Sequence, residues 1–184
     1  MKNIRFYFFI LALLLCKGVF AQSPQNVIKL NIFSPIVRTL SVSYEKALST
    51  DNSFQINVLY TGYSIDDTKL RGFGITPEYR FYLSESKDAP AGFYLGPFLR
   101  YQNLNLTIED DVSDDEATLS TIGGGLLVGG QWIFKDKISL DTFIGPSYNA
   151  GDIKVKDGAN EESFSTAIFS GFGVRFGVTV GYAF

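Results

Sequence analysis

Histidine is absent from the 184 residues, and cysteine, methionine and tryptophan occur once each. Without histidine no Ser–His or His–Asp catalytic pair can be assembled. Zinc and haem sites lose their usual imidazole ligands as well. A carboxylate-only enzyme is the remote alternative left on the catalytic side. The expectation is a protein that is not an enzyme, uses no cofactor, and has no catalytic, cofactor-binding or metal-binding residues.

Long apolar runs are missing too, with one exception at the N-terminus. Lys2 and Arg5 precede the apolar run Phe6–Leu15, and Val19-Phe20-Ala21 supplies the compact residues that a signal peptidase reads. Residues 1–21 are therefore read as a signal peptide for Sec-type export, and 22–184 as one domain. A transmembrane helix is the weaker alternative, because ten apolar residues are about half of what a bilayer crossing needs. Lipid attachment at Cys16 is disfavoured by the bulky Leu15 before it. Lys2, Arg5 and Lys17 leave with the signal, so the mature chain has 13 basic against 19 acidic residues, a net charge of −6. That excess argues against nucleic acid as a partner, since phosphate neutralisation needs a basic face. The single cysteine leaves as well, so the mature chain forms no disulfide. No helical stretch of ten residues and no linker are found in it.

What is present is alternation. From Phe172 to Phe184 every second residue is apolar or aromatic, and the set between is Gly171, Gly173, Arg175, Gly177, Thr179, Gly181 and Ala183. Seven further segments alternate: 26–33, 39–48, 54–63, 72–83, 93–102, 121–134 and 138–149. These eight segments, 8 to 14 residues long, are of roughly the length that a tilted membrane strand needs, about 9–11 residues. Ser49–Ser53, Ser84–Ala91 and Lys135–Lys137 read as short turns. Ser64–Leu70, Ile108–Ala117 and Ala150–Ser170 read as longer, polar external loops. Ser34–Arg38 breaks that pattern by being short and external.

A soluble eight-stranded barrel is the rival architecture. It needs long polar side chains on its outer face. Here the polar face is mostly Gly, Ser, Thr and Ala, which suits the cramped interior of a small barrel. The aromatics also fall into two belts. Phe54, Phe81, Phe93, Trp132 and Phe134 lie near the short turns, and Tyr60, Phe73, Tyr101, Tyr148 and Phe172 near the long loops. Two membrane interfaces select such girdles. The fold class expected is all-β: a closed, antiparallel, up-and-down transmembrane β-barrel of eight strands.

Phe20-Ala21-Gln22, the eight alternating segments, and the ending Gly177-Val178-Thr179-Val180-Gly181-Tyr182-Ala183-Phe184 resemble the small OmpA/OmpX-like outer-membrane barrels. Gly74-Ile75-Thr76-Pro77-Glu78-Tyr79-Arg80-Phe81-Tyr82-Leu83 is similar to a segment of uncharacterised barrel families of this kind. The resemblance implies integral residence in the cell outer membrane, with its lipid as one partner and the barrel-assembly machinery as another during insertion. It further implies that Phe176, Val178, Val180, Tyr182 and Phe184 form the terminal signal read by that machinery. It implies little chemistry, because the superfamily hosts enzymes, adhesins and structural members.

Alternation also sends charges inward. Lys29, Glu45, Glu78, Arg80, Arg100, Asp141 and Arg175 share the polar face and are read as a paired lumen network, since a buried charge must find a partner. The competing reading of the same seven is a selective ion path. Glu109, Asp110, Asp111, Asp114, Asp115 and Glu116 form an acidic loop, a solvated surface open to an external ligand; a calcium site is the alternative, although the EF-hand spacing is missed. Gly123-Gly124-Gly125 and Gly129-Gly130 read as close packing or bends. Pro77, Pro97 and Pro146 each read as marking a bulge. The function expected is a structural or surface-interaction barrel without an open pore, with a narrow channel or transporter for small solutes as the alternative.

Overall fold

A computed structural model describes residues 24–184, except 66–67, 85, 110–113 and 156–170. The expected signal segment lies outside the described residues. The chain forms β1 (Asn26–Asn31), β2 (Thr39–Ala47), β3 (Asn52–Ile65), β4 (Thr68–Tyr82), β5 (Gly92–Glu109), β6 (Asp114–Phe134), β7 (Ile138–Val155) and β8 (Gly171–Ala183). Each strand pairs antiparallel with the next, and β8 returns to β1, closing an up-and-down barrel. Among the described residues no helix is long and apolar enough to cross a membrane. The tight connections have matching local chemistry. Pro35 opens a 3-10 turn over Ser34–Val37 that ends on Arg38 at φ 52°. Lys135 and Asp136, at φ 51° and 55°, reverse the chain between β6 and β7.

The closing seam runs from Val27 opposite Ala183 to Asn31 opposite Thr179. Beyond it, the Asn26 amide donates to the Phe184 carbonyl (3.0 Å) and the Phe184 amide to the Asn26 carbonyl (2.8 Å). A chain end is ordinarily free to fray. Here the last residue completes the ladder instead, and its ring stacks on Tyr182 at 6.3 Å.

The two faces of the sheet have opposite chemistry. Ile28, Leu30, Leu40, Val58, Leu99, Val128, Ile144 and Val180 point outward and are exposed. Lys29, Glu45, Gln55, Thr76, Gln131, Ser139 and Thr179 point inward and are buried. A water-soluble protein buries the first kind and exposes the second. The reversed arrangement belongs to a barrel whose outer solvent is lipid. The outward aromatics pair across strands near both rims: Phe93 with Trp132 (6.1 Å) near the short turns, Phe73 with Tyr101 (6.2 Å) and Tyr148 with Phe172 (5.0 Å) near the other.

Three strands run well past the expected loop boundaries. The β5–β6 ladder continues until Glu109 faces Asp114, and β7 pairs with β6 as far as Val155 opposite Ala117. Ile65 and Thr68 already pair in the β3–β4 hairpin. Much of Ile108–Ala117 is therefore hairpin arm and not loop. Glu109, Asp114, Asp115 and Glu116 lie on paired strands, and Asp110 and Asp111 lie outside the described residues. The reason is visible in a change of phase. Below the rim, Leu99, Tyr101 and Ile122 point outward. Above it, the outward positions become Asn103, Asn105, Thr118 and Ser120, while Ala117 and Leu119 turn inward and are buried. Asn103 donates to Ser120 (2.8 Å), and the Thr118 hydroxyl donates to Asn105 (2.9 Å), across the ladder. The outer face turns polar where the wall meets water, and the ladder itself is uninterrupted. At 21 residues, β6 rises roughly 50 Å along the normal at a 45° tilt, beyond a hydrocarbon core of about 30 Å.

The prolines do not mark bulges. Register is unbroken through all three: Ile56 faces Pro77, Pro97 faces Leu126, and Pro146 faces Val174. Each keeps its pairing toward one neighbouring strand, so a missing N–H weakens one ladder locally without inserting a residue. The glycines answer to packing. Inward Tyr94, Phe98 and Phe143 face Gly129, Gly125 and Gly177 across the ladder. A Cβ at those glycines would come within 2.5 Å of Tyr94, 3.0 Å of Phe98 and 2.6 Å of Phe143. Each ring lies over the bare backbone of the adjacent strand.

These faces predict unequal costs for one substitution. Unfolding from lipid vesicles should show Val128→Arg losing about 2–4 kcal/mol, the cost of an arginine at mid-bilayer. Asn105→Arg, outward but above the aromatic rim, should stay within about 1 kcal/mol of the parent. Equal losses would contradict the assignment of faces and levels.

Candidate functional site

Seven strands send polar or aromatic groups to one level of the lumen, close to the short-turn end. Lys29 of β1 donates to Glu45 of β2 (2.6 Å), to Asp141 of β7 (2.9 Å) and to the Gln131 side-chain carbonyl of β6 (2.7 Å). Arg80 of β4 donates through Nε to Glu78 (2.6 Å), and through Nη1 to Asp141 (2.9 Å), Glu45 (3.3 Å) and Gln131 (3.3 Å). The remaining carboxylate oxygens are also used. Glu45 Oε1 accepts from Tyr82 (2.7 Å) and from Ser53, and Asp141 Oδ1 accepts from Tyr94 (2.9 Å). The Arg80 guanidinium lies 4.1 Å from the centre of the Tyr94 ring. Two cations and two carboxylates, all fully buried, form a neutral and densely bonded group. A buried ion cluster is tolerable only when most of its lone pairs and protons are satisfied, and here Arg80 Nη2 is the buried donor left without a partner.

The short-turn end is stoppered. The connection from β4 to β5 folds into the mouth, with Ala89 and Pro90 buried. Gln131 Nε2 donates to the Pro90 carbonyl (2.6 Å), and the Ala89 amide to the Thr50 carbonyl (2.7 Å). Tyr82, Tyr94, Phe98, Leu127 and Phe143 pack with Ala89 as an apolar group beside the charges.

Glu78 links this group to the next level. Its Oε2 accepts from Arg175 Nη1 (3.1 Å), whose guanidinium lies 4.6 Å from the Phe98 ring centre and 5.0 Å from that of Phe143. Six of the seven sequence-predicted lumen charges are thus joined by ion pairs. Arg100 stands apart. It is half-buried, 5.8 Å from the Phe98 ring centre, and its Nε has no hydrogen-bond partner. Of the terminal set, Phe176, Val178, Val180 and Tyr182 lie on the outward face of β8, and Phe184 follows its last residue. Among the described residues no group of three or more Asp, Glu, Cys or His is placed to hold a metal ion.

Sequence reading missed Tyr82, Tyr94, Phe98 and Phe143 as lumen groups. Parity would have found them: Tyr82 shares a face with Arg80, Tyr94 and Phe98 with Arg100, and Phe143 with Asp141. Their apolar rings disguised the match.

Removing one charge from the cluster should be costly. Asp141→Asn leaves Lys29 and Arg80 short of an anion, and a loss of about 3–5 kcal/mol is expected, as for one broken partner of a buried pair. Asp136→Asn, in the exposed β6–β7 turn where a left-handed backbone suits asparagine, should be near neutral. Urea titrations in vesicles compare the two.

No curated protein matches the chain. Among solved structures, the N-terminal β-barrel domain of Pseudomonas aeruginosa OprF is similar, at TM-score 0.45 and 15% identity over 89% of this chain and 100% of that one. Neisserial surface protein A (NspA) is similar at TM-score 0.46 and 12% identity, over 86% of this chain and 94% of that one. A family model described as a protein of unknown function (DUF3575) matches residues 7–153, and the chain belongs to that family.

Proposed function

We propose that the protein is an integral outer-membrane barrel with a structural or surface-interaction role, closed to ion flow and without enzymatic activity. The observation that carries this reading is the stoppered lumen. The Lys29–Glu45–Asp141–Arg80 group spans the bore, and the Pro90 segment seals the end beneath it. An eight-stranded barrel has room for side chains but not for a water column as well. The outward apolar belt between two aromatic rims supports membrane residence. The wall formed by the upper parts of β5, β6 and β7 supports a role at the loop side, where its acidic hairpin offers a surface to an external ligand.

Purified protein in planar bilayers should give no steady conductance. Sustained openings of porin size would overturn the closed reading and favour the narrow channel. Cell fractionation should place the folded chain in the outer membrane, and recovery from the soluble periplasm would refute membrane residence.

The terminal strand is proposed as the segment read by the assembly machinery. Phe184→Ala keeps the backbone bonds to Asn26 and removes only the ring. Refolding into detergent should proceed normally while insertion in cells falls. Normal insertion in cells would reduce Phe184 to an interface anchor.

A further inference from the structure

Above the neutral cluster the lumen opens into a cavity of about 160 Å³ toward the loop end. Arg100 and Arg175 both line it, together with Gln55, Thr179, Ser41 and Ser43, and none of its described lining residues is acidic. The charge balance explains why this matters. Lys29 and Arg80 are matched by Glu45 and Asp141 below. At the upper level Glu78 bonds both Arg80 and Arg175, and Arg100 has no ion pair among the described residues. Among the described lumen residues one positive charge, that of half-buried Arg100, is left over, and a partly desolvated unmatched charge favours a counter-ion.

The cavity also carries polar atoms with nothing to bond. Arg100 Nε, the Thr179 hydroxyl and the Gln55 side-chain carbonyl oxygen are buried and without hydrogen-bond partners. Thr179 and Gln55 are 4% and 2% exposed. The free Gln55 atom is an acceptor, so the unpartnered donors are Arg100 Nε and the Thr179 hydroxyl. Ser41 and Ser43 accept hydrogen bonds from Asn57 (2.8 and 2.9 Å), which leaves their own O–H groups available to donate. Donors and positive charge thus converge on a space closed from below by the ion cluster and the Pro90 stopper.

We propose that this vestibule binds one small oxyanion, a phosphate, sulfate or carboxylate group, between Arg100 and Arg175. The guanidinium forks match planar and tetrahedral oxyanions. The volume is about five times the ~30 Å³ share of one water, enough for a tetrahedral anion and too small for a nucleotide. The inference does not depend on whether the barrel conducts, because it rests on the residues that line the cavity.

The test uses the full barrel refolded in zwitterionic detergent and inorganic phosphate as the probe. Phosphate is titrated against chloride at constant ionic strength and followed by calorimetry and phosphorus NMR line width. Saturable binding at one site is expected. Arg100→Gln should weaken it by at least about tenfold, as the loss of one charged hydrogen-bond partner does. Arg71→Gln, on the exposed outer face, should leave it unchanged. In phosphate-free buffer Arg100→Gln should unfold no more easily than the parent, because it removes the unmatched charge. Thr179→Val, which deletes only a hydroxyl, supplies a second lesion should Arg100→Gln fail to fold, and it too should weaken binding. Absence of saturable phosphate binding by the parent, or equal binding by the lumen variants, would overturn the proposal.

Discussion

Every backbone amide and carbonyl in hydrocarbon must find its partner within the protein. That constraint governs the rest of this molecule. An open sheet would leave two edges unpaired in lipid, so the meander has to return on itself, and β1 and β8 make the return. The bonds between Asn26 and Phe184 complete the requirement at the chain end. Once closure is obligatory, strand number sets the bore, and at eight strands the bore is filled by its own side chains.

A filled bore with an apolar exterior has one consistent chemistry. Large rings fit only where the facing strand offers glycine, which accounts for Tyr94 over Gly129 and Phe143 over Gly177. Charges fit only in balanced sets, which accounts for the two cations and two carboxylates at the short-turn end. The same reasoning gives the vestibule its character. Where balance fails, at Arg100, the lumen widens into a cavity lined by donors.

Much of this was legible from residue order. Period two is a direct imprint of the pleat, so the eight strands, their phase and the inward position of Lys29, Glu45, Glu78, Arg80, Arg100, Asp141 and Arg175 could be read by counting. The limits of the reading are physical as well. Asn103 to Thr107 kept the period but exchanged its polar and apolar faces, and a search for one fixed phase stops at that exchange. Pro77, Pro97 and Pro146 can each lose one ladder bond or force an extra residue into the strand; local sequence does not distinguish these outcomes, and the unbroken register decides for the first. The inward fold of Ala89 and Pro90 depends on Gln131, 41 residues later, and leaves no local mark.

The cluster around Lys29 has a consequence for how the barrel finds its own alignment. A slip of one residue between strands turns every side chain to the wrong face, and lipid rejects it at once. A slip of two residues keeps all faces correct, so the greasy pattern cannot detect it. Charge can. Lys29 lies 16 residues from Glu45 and 112 from Asp141, and it meets both when the first strand has docked correctly against the second and the last, and the last against the seventh. A two-residue slip at the seam sets Lys29 opposite Thr179 or Ala183 instead of Gly181 and takes its ammonium group off the level where Glu45, Gln131 and Asp141 all meet it. The ion cluster therefore works as a vernier: it resolves the even-numbered alignments that hydrophobicity leaves degenerate.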